Sequence, residues 1–157
     1  MKKTPAQKDR YLLVLLLAIL IGLPLGISAY DHAFWREQIP SDAKVFTLTG
    51  HTERGWILGD VSAYEVATTK FNDPSLPVAK PVIHVKKGDH VVLKLKSSDV
   101  LHGFSLKDLG IYIADGITPG KVRLVSFVAD KVGTFTFSCN AICGENHEKM
   151  QGTLQVS

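Results

Sequence analysis

From Tyr11 to Tyr30 the chain reads YLLVLLLAILIGLPLGISAY without a charged side chain, and after residue 40 its apolar positions recur with a period of two. The first pattern predicts a helix. At about 1.5 Å per residue, residues 11–30 reach roughly 30 Å, the hydrocarbon thickness of a bilayer. Tyr11 and Tyr30 bracket the run, and Phe34 and Trp35 follow it, where amphipathic rings settle at a membrane interface. Basic residues before the run keep 1–10 as a cytoplasmic tail and put everything after Tyr30 outside. A cleaved signal peptide is the alternative, since Ile27-Ser28-Ala29 is a tolerable cleavage site. The apolar run, however, is longer than the usual signal core. Either way the remainder is exported.

The second pattern predicts strands. Residues 31–43, with Pro40-Ser41-Asp42, read as a linker, and 44–157 as the folded domain. Lys44–Thr49 alternates and stops at Gly50. Val82–Val85 leads through Lys87-Gly88-Asp89, a turn signal, into Val91–Lys96. Lys121–Val128 is rich in β-branched and apolar residues, Thr134–Ser138 sets Phe135, Phe137 and Cys139 on one face, and Thr153–Val156 is a short closing strand. No helical period competes after residue 40, and residues 55–80 are hard to assign. Short strands at close spacing predict an all-β architecture, a small antiparallel sandwich or barrel behind one N-terminal transmembrane helix.

Charge alters little. The first ten residues hold four of the 18 basic side chains and one of the 15 acidic ones, so the rest is balanced. That gives a nucleic-acid-binding face no support. With two cysteines the domain folds on an apolar core rather than a disulfide scaffold. No acid/base pair, Ser-His-Asp set or phosphate loop is present.

The chemistry is concentrated in Cys139-Asn140-Ala141-Ile142-Cys143-Gly144-Glu145-Asn146-His147-Glu148-Lys149-Met150. Thiolate and thioether ligands select copper(I), imidazole suits copper in both oxidation states, and Cys, His and a weak Met form a blue-copper ligand set. Here a second thiolate lets two sulfurs bridge two coppers, each capped by a histidine. His102, at a strand end in Asp99-Val100-Leu101-His102-Gly103-Phe104, is the candidate second imidazole. Asp99 is placed to accept its other ring N–H and fix the tautomer. A disulfide between Cys139 and Cys143 and a tetrahedral zinc site of Cys139, Cys143, His147 and His102 remain as alternatives. His32, His51, His84 and His90 are read as surface residues. Trp56 and Tyr64 stay open between core packing and an exposed aromatic that helps an electron enter.

Cys-x3-Cys-x3-His-x2-Met with an upstream Asp-x2-His-Gly-Phe resembles the binuclear copper centre, CuA, of cytochrome c oxidase subunit II. The resemblance runs over about 81–157, includes Lys87-Gly88-Asp89 and Gly152-Thr153, and is closest to the short, single-anchor form of the b-type haem–copper oxidases. It implies a cupredoxin-like Greek-key fold holding two coppers. Cys139 and Cys143 would bridge them, His102 and His147 would cap one each, and Met150 and the Ala141 carbonyl would be weak axial ligands. Many members carry an acidic residue where Ala141 stands, and alanine cannot help hold their interface magnesium. Residues 44–80, including Gly55-Trp56-Ile57-Leu58-Gly59, match no family pattern.

The resemblance implies an electron-transfer subunit of a membrane oxidase on the periplasmic side. It would take electrons from cytochrome c or a small copper protein and pass them to a haem of oxidase subunit I. This chain itself has no oxygen-reducing site. The quinol-using relatives have lost these ligands, so a protein donor is expected. A free-standing membrane-tethered shuttle and a copper-handling protein are the competing functions. The Cys-x3-Cys copper chaperones have a thioredoxin-like fold, for which too little chain follows Cys143.

Overall fold

The structure is a computed structural model and describes residues 5–30, 39–69, 73, 75–144 and 146–157. The interface aromatics Phe34 and Trp35, the surface assignment of His32, and most of the linker lie outside the described residues. The chain divides into two compact units, Met1–Gln38 and Ile39–Ser157.

The described residues of the first unit are helical. α1 (Pro5–Leu17) runs through a π turn, Ala18–Gly22, into α2 (Leu23–Tyr30). Pro24 lacks an N–H and its ring crowds the carbonyl four residues back, so it strains a regular helix. The wide turn lies just ahead of it, with Leu23 N–H reaching back to the Ala18 carbonyl. Gln7–Tyr30, 24 residues, is long and apolar enough to cross a membrane.

The second unit is a two-sheet sandwich. Its strands are β1 (Lys44–His51), β2 (Gly55–Leu58), β3 (Val82–Val85), β4 (His90–Ser97), β5 (His102–Leu106), β6 (Ile111–Ile117), β7 (Arg123–Val128), β8 (Gly133–Ser138) and β9 (Gln151–Val156). One sheet has the order β2-β1-β4-β7, the other β3-β9-β8-β5-β6. The expected all-β sandwich is therefore present, but it is not wholly antiparallel. β1 runs parallel to β4 with Lys44 opposite Val91, and β3 parallel to β9 with Val82 opposite Thr153.

Alternation accounts for the strands that are easiest to read. Val91, Leu93 and Leu95 point inward from β4 and Ile83 and Val85 from β3, while His84 faces solvent. The Lys87-Gly88-Asp89 turn joins these strands. Gly88 has a φ of 91°, which disfavours any residue with a Cβ, and Asp89 accepts from Lys86 N–H and Lys44 Nζ, each at 2.6 Å. Trp56 bridges the sheets, edge-on to Phe104 at 5.6 Å, and Phe104 stacks on Phe137 at the same distance. All three are fully buried. Tyr64 is instead 75% exposed.

A helix interrupts the strands, contrary to the reading of the periodicity. α3 (Ala63–Thr68) starts from a capping box, with Glu65 N–H donating to Ser62 Oγ at 3.2 Å and Ser62 N–H donating to Glu65 Oε2 at 2.8 Å. Only Val66 of its residues is buried, too few apolar positions to register as a period.

Candidate metal centre

The site forms where the start of β5 meets the loop between β8 and β9. β5 brings in His102 fully buried. Cys139 follows β8 directly, and its N–H donates to the Met150 carbonyl at 3.1 Å, tying the two ends of the loop together. Between them His147 N–H donates to the Gly144 carbonyl and Met150 N–H to the His147 carbonyl, at 3.2 and 3.1 Å. This short helical turn sets His147 and Met150 on the side of the cysteines.

The soft donors converge. Cys139 Sγ and Cys143 Sγ are 3.5 Å apart, well beyond a disulfide bond of about 2.05 Å, and both thiols are free. Cys143 Sγ lies 3.4 Å from Met150 Sδ and 3.8 Å from His147 Nδ1. Cys139 Sγ is 3.3 Å from the Ala141 carbonyl oxygen. One ring nitrogen of His102 and both sulfurs lie within 4.8 Å of one another. All six residues expected at the site are thus brought together.

Asp99 fixes His102. Its Oδ1 is 2.7 Å from His102 Nε2, and its Oδ2 accepts from Thr52 N–H at 2.7 Å. With Nε2 engaged, Nδ1 is left buried without a hydrogen-bond partner. A buried polar atom that lacks a partner is rare and costly. An imidazole nitrogen facing two thiols with none is what a metal ligand looks like before its metal binds, so the donor set fits a soft or borderline ion. Burial alone would raise the Asp99 carboxyl, but the hydrogen bonds from His102 and Thr52 outweigh it and hold it far below the usual range. Burial also opposes a charged His102, yet Asp99 and Cys139 raise its pKa to about 9. Burial pushes both thiols up. The nearby His102 ring and the backbone of Ala141 and Gly103 bring Cys139 below its ordinary value, and the neighbouring Cys139 then drives Cys143 higher still.

The surroundings of the site differ from the sequence reading at several residues. Thr52 donates through Oγ1 to the Cys143 carbonyl at 3.2 Å as well as through N–H to Asp99, joining the β1–β2 turn to both halves of the site. His51 is not a free surface residue: it is half-buried, with Nδ1 3.9 Å from Asp99 Oδ2 and accepting from Glu53 N–H at 3.2 Å. His90 is half-buried too, its Nε2 2.9 Å from Ser126 Oγ. Trp56 packs behind His102 with ring centroids 6.2 Å apart and is no exposed aromatic.

Gly103 has no room for a side chain. A Cβ there would fall 1.8 Å from Asn140 Oδ1 and 2.7 Å from Ala141 N, and its N–H donates to Cys139 Sγ at 3.3 Å. Gly103→Ala is expected to push the loop off β5 and to cost about 1–3 kcal/mol of stability. A chemical denaturation midpoint, with metal retention measured alongside, checks this. A variant that unfolds and binds metal like the parent would disprove the close approach.

A cupredoxin-like sandwich with thiol, imidazole and thioether donors gathered between β5 and the β8–β9 loop defines a candidate metal-binding domain of the copper-protein type. A family model described as "Cytochrome C oxidase subunit II, periplasmic domain" matches residues 60–156, and the chain belongs to that family. The match takes in residues 60–80, part of the stretch that fitted no pattern on inspection. The chain is 35% identical over 74 residues to a cytochrome c oxidase subunit 2 of Thermus thermophilus, an alignment covering 47% of this chain and 53% of that relative. The chain spans about half the length of the curated relatives it matches. In fold it is similar to the periplasmic domain of subunit II of the Bradyrhizobium japonicum cytochrome oxidase, with a TM-score of 0.52, 22% identity and coverage of 76% of this chain and 88% of that one. A chain of a haem–copper terminal oxidase dimer is likewise similar, with a TM-score of 0.52, 18% identity and coverage of 97% and 99%.

Proposed function

We propose that this chain is the electron-accepting subunit of a membrane-bound cytochrome c oxidase and holds a binuclear copper centre. The two coppers would supply reversible one-electron chemistry with the charge shared between them. Cys139 and Cys143 would bridge, His102 and His147 would cap, and Met150 and the Ala141 carbonyl would bind weakly. Residues 11–30 would anchor the chain, with 1–10 in the cytoplasm, 31–43 as linker and 44–157 as the periplasmic domain. Cytochrome c or a small copper protein would donate, and a haem of oxidase subunit I would accept. The family membership and the relative from Thermus thermophilus support the oxidase assignment.

One observation carries the reading of the site: the partnerless Nδ1 of buried His102 beside two free thiols. The residues do most of their work before any metal arrives. Asp99 holds the His102 tautomer, Gly103 and Thr52 hold the two cysteine segments, and Trp56 and Phe104 keep water from one side. A zinc site would leave Met150 Sδ without a role, although it lies 3.4 Å from Cys143 Sγ.

The full chain, reduced and loaded with copper, is expected to hold two coppers and to show an electron paramagnetic resonance signal split by two equivalent nuclei. One copper per chain with a localised electron would reject the binuclear centre and favour copper delivery. Met150→Leu is expected to keep both coppers and shift the reduction potential, because a weak axial donor tunes a copper–thiolate site rather than assembling it. Voltammetry beside metal counting tests this, and an unchanged potential would remove Met150 from the ligand set.

A further inference from the structure

We infer that the second unit carries a further binding site, for a phosphate-type oxyanion, in a cleft beside the turn that carries His147. The cleft has a volume of about 590 Å³ and lies between the β1–β2 turn, the segment 76–80 and the turn 146–149. Among the described residues Arg54, Lys80 and Lys149 line it against one acid, Glu53, an excess of two positive charges.

Arg54 is the decisive residue. It is only 7% exposed, and a guanidinium with five N–H donors is costly to bury without partners. Among the described residues it makes one hydrogen bond, from Nη1 to the Leu76 carbonyl at 3.3 Å, and Nε is buried with none. Glu53 Oε2 is 3.9 Å from Nη2 and its side chain is 72% exposed, so it compensates weakly. Asp73, close enough to feel the charge of Arg54, gives its carboxylate to the N–H and hydroxyl of Ser75. The surrounding backbone holds this arrangement in place. Ala79 N–H donates to the Arg54 carbonyl at 2.8 Å, and a Cβ on Gly55 would come within 2.6 Å of Val78 Cγ1.

The charge selects the ligand. A monocarboxylate would leave the lining positive, whereas a dianion or larger oxyanion balances it and can accept from the planar fork of Arg54 together with two lysine ammoniums. Both Lys80 and Lys149 are exposed at the rim and free to swing in, although Lys149 Nζ now donates to Asn146 Oδ1 at 3.0 Å. A ligand there would hold the 146–149 turn, and so His147, against segment 76–80. Free phosphates and phosphomonoester lipid headgroups present the same chemistry.

The test uses the full chain in zwitterionic detergent, metal-free and with thiols reduced, titrated calorimetrically with inorganic pyrophosphate. A parallel titration uses micelles doped with phosphatidic acid. One pyrophosphate per chain is expected, and Lys80→Gln/Lys149→Gln should weaken it about tenfold or more, the loss of at least one charge-assisted hydrogen bond. Both lysines are exposed, so the double variant keeps the fold. Binding of the doped micelles alone, with the same sensitivity to the double variant, would support the site and assign it to a lipid headgroup. No heat with either probe, or equal binding by parent and double variant, would overturn the proposal. Because metal is absent throughout, failure here is separate from failure of the copper reading.

Discussion

Replacing Cys139 or Cys143 with serine is expected to abolish the binuclear signal. The two sulfurs are the only soft anionic donors among the described residues of the site, and 3.5 Å apart they can be shared by two metals. A serine hydroxyl is a hard donor that stays protonated at neutral pH and cannot act as a bridging thiolate. The two variants should differ in what survives. Cys139→Ser removes the sulfur nearest His102 and Ala141 and the acceptor for Gly103 N–H at 3.3 Å, so little copper should remain. Cys143→Ser leaves His102, Cys139 and the Ala141 carbonyl together, enough for one copper with a localised electron. Metal counting and the hyperfine pattern read both outcomes. A serine variant with two coppers and an equally shared electron would refute the ligand assignment.

Asp99→Asn is expected to lower copper affinity about 10–100-fold, the usual cost of removing the group that orients a ligating histidine. The carboxylate now accepts twice, from His102 Nε2 and from Thr52 N–H. An amide has one oxygen. Whichever donor meets the NH₂ group instead faces donor against donor, at a cost of about 1–3 kcal/mol for the group left unsatisfied. If the amide oxygen serves Thr52, the His102 proton is free to move to Nδ1 and block the coordinating lone pair. If it serves His102, the β1–β2 turn lets go and Cys143, held through Thr52 Oγ1, loosens with it. Competition with a copper chelator measures the affinity, and the ring nitrogen chemical shifts of His102 report the tautomer. Parent-like affinity with an unmoved tautomer would show that packing against Trp56 and against Gly50, where a Cβ would fall 2.9 Å from the His102 ring, alone orients His102.

How far the sequence anticipated this arrangement depended on whether a residue's role was local. β3, β8 and β9 were legible because burial alternates along them. β5 was not, since all five of its residues are buried and a strand covered on both faces shows no period of two. β2, only four residues long, and β6, which carries Gly116 at a φ of 76° and an irregular register with β5, have too little regular pattern to stand out. The two parallel pairings join segments far apart in sequence and leave no local mark. The donors on the β8–β9 loop were legible because two cysteines, a histidine and a methionine within twelve residues are a chemical statement in themselves. Of the supports, Asp99 was legible, whereas Thr52 and Trp56 acquire their meaning only from what folds against them.

The placement of β9 also fixes an order of events. This strand follows the donor loop in the chain, yet it lies inside its sheet, antiparallel to β8 on one side and parallel to β3 on the other. Until residues 151–156 arrive, β3 has no partner in the sheet and the loop carrying Cys143, His147 and Met150 is tethered at one end only. The contacts that close the centre are of long sequence separation, the kind that form slowly. A chain that lacks these last residues thus presents two thiols and no formed site. The donor loop can close only after residues 151–156 have paired with β3 and β8, and until then the two cysteines are open to oxidation.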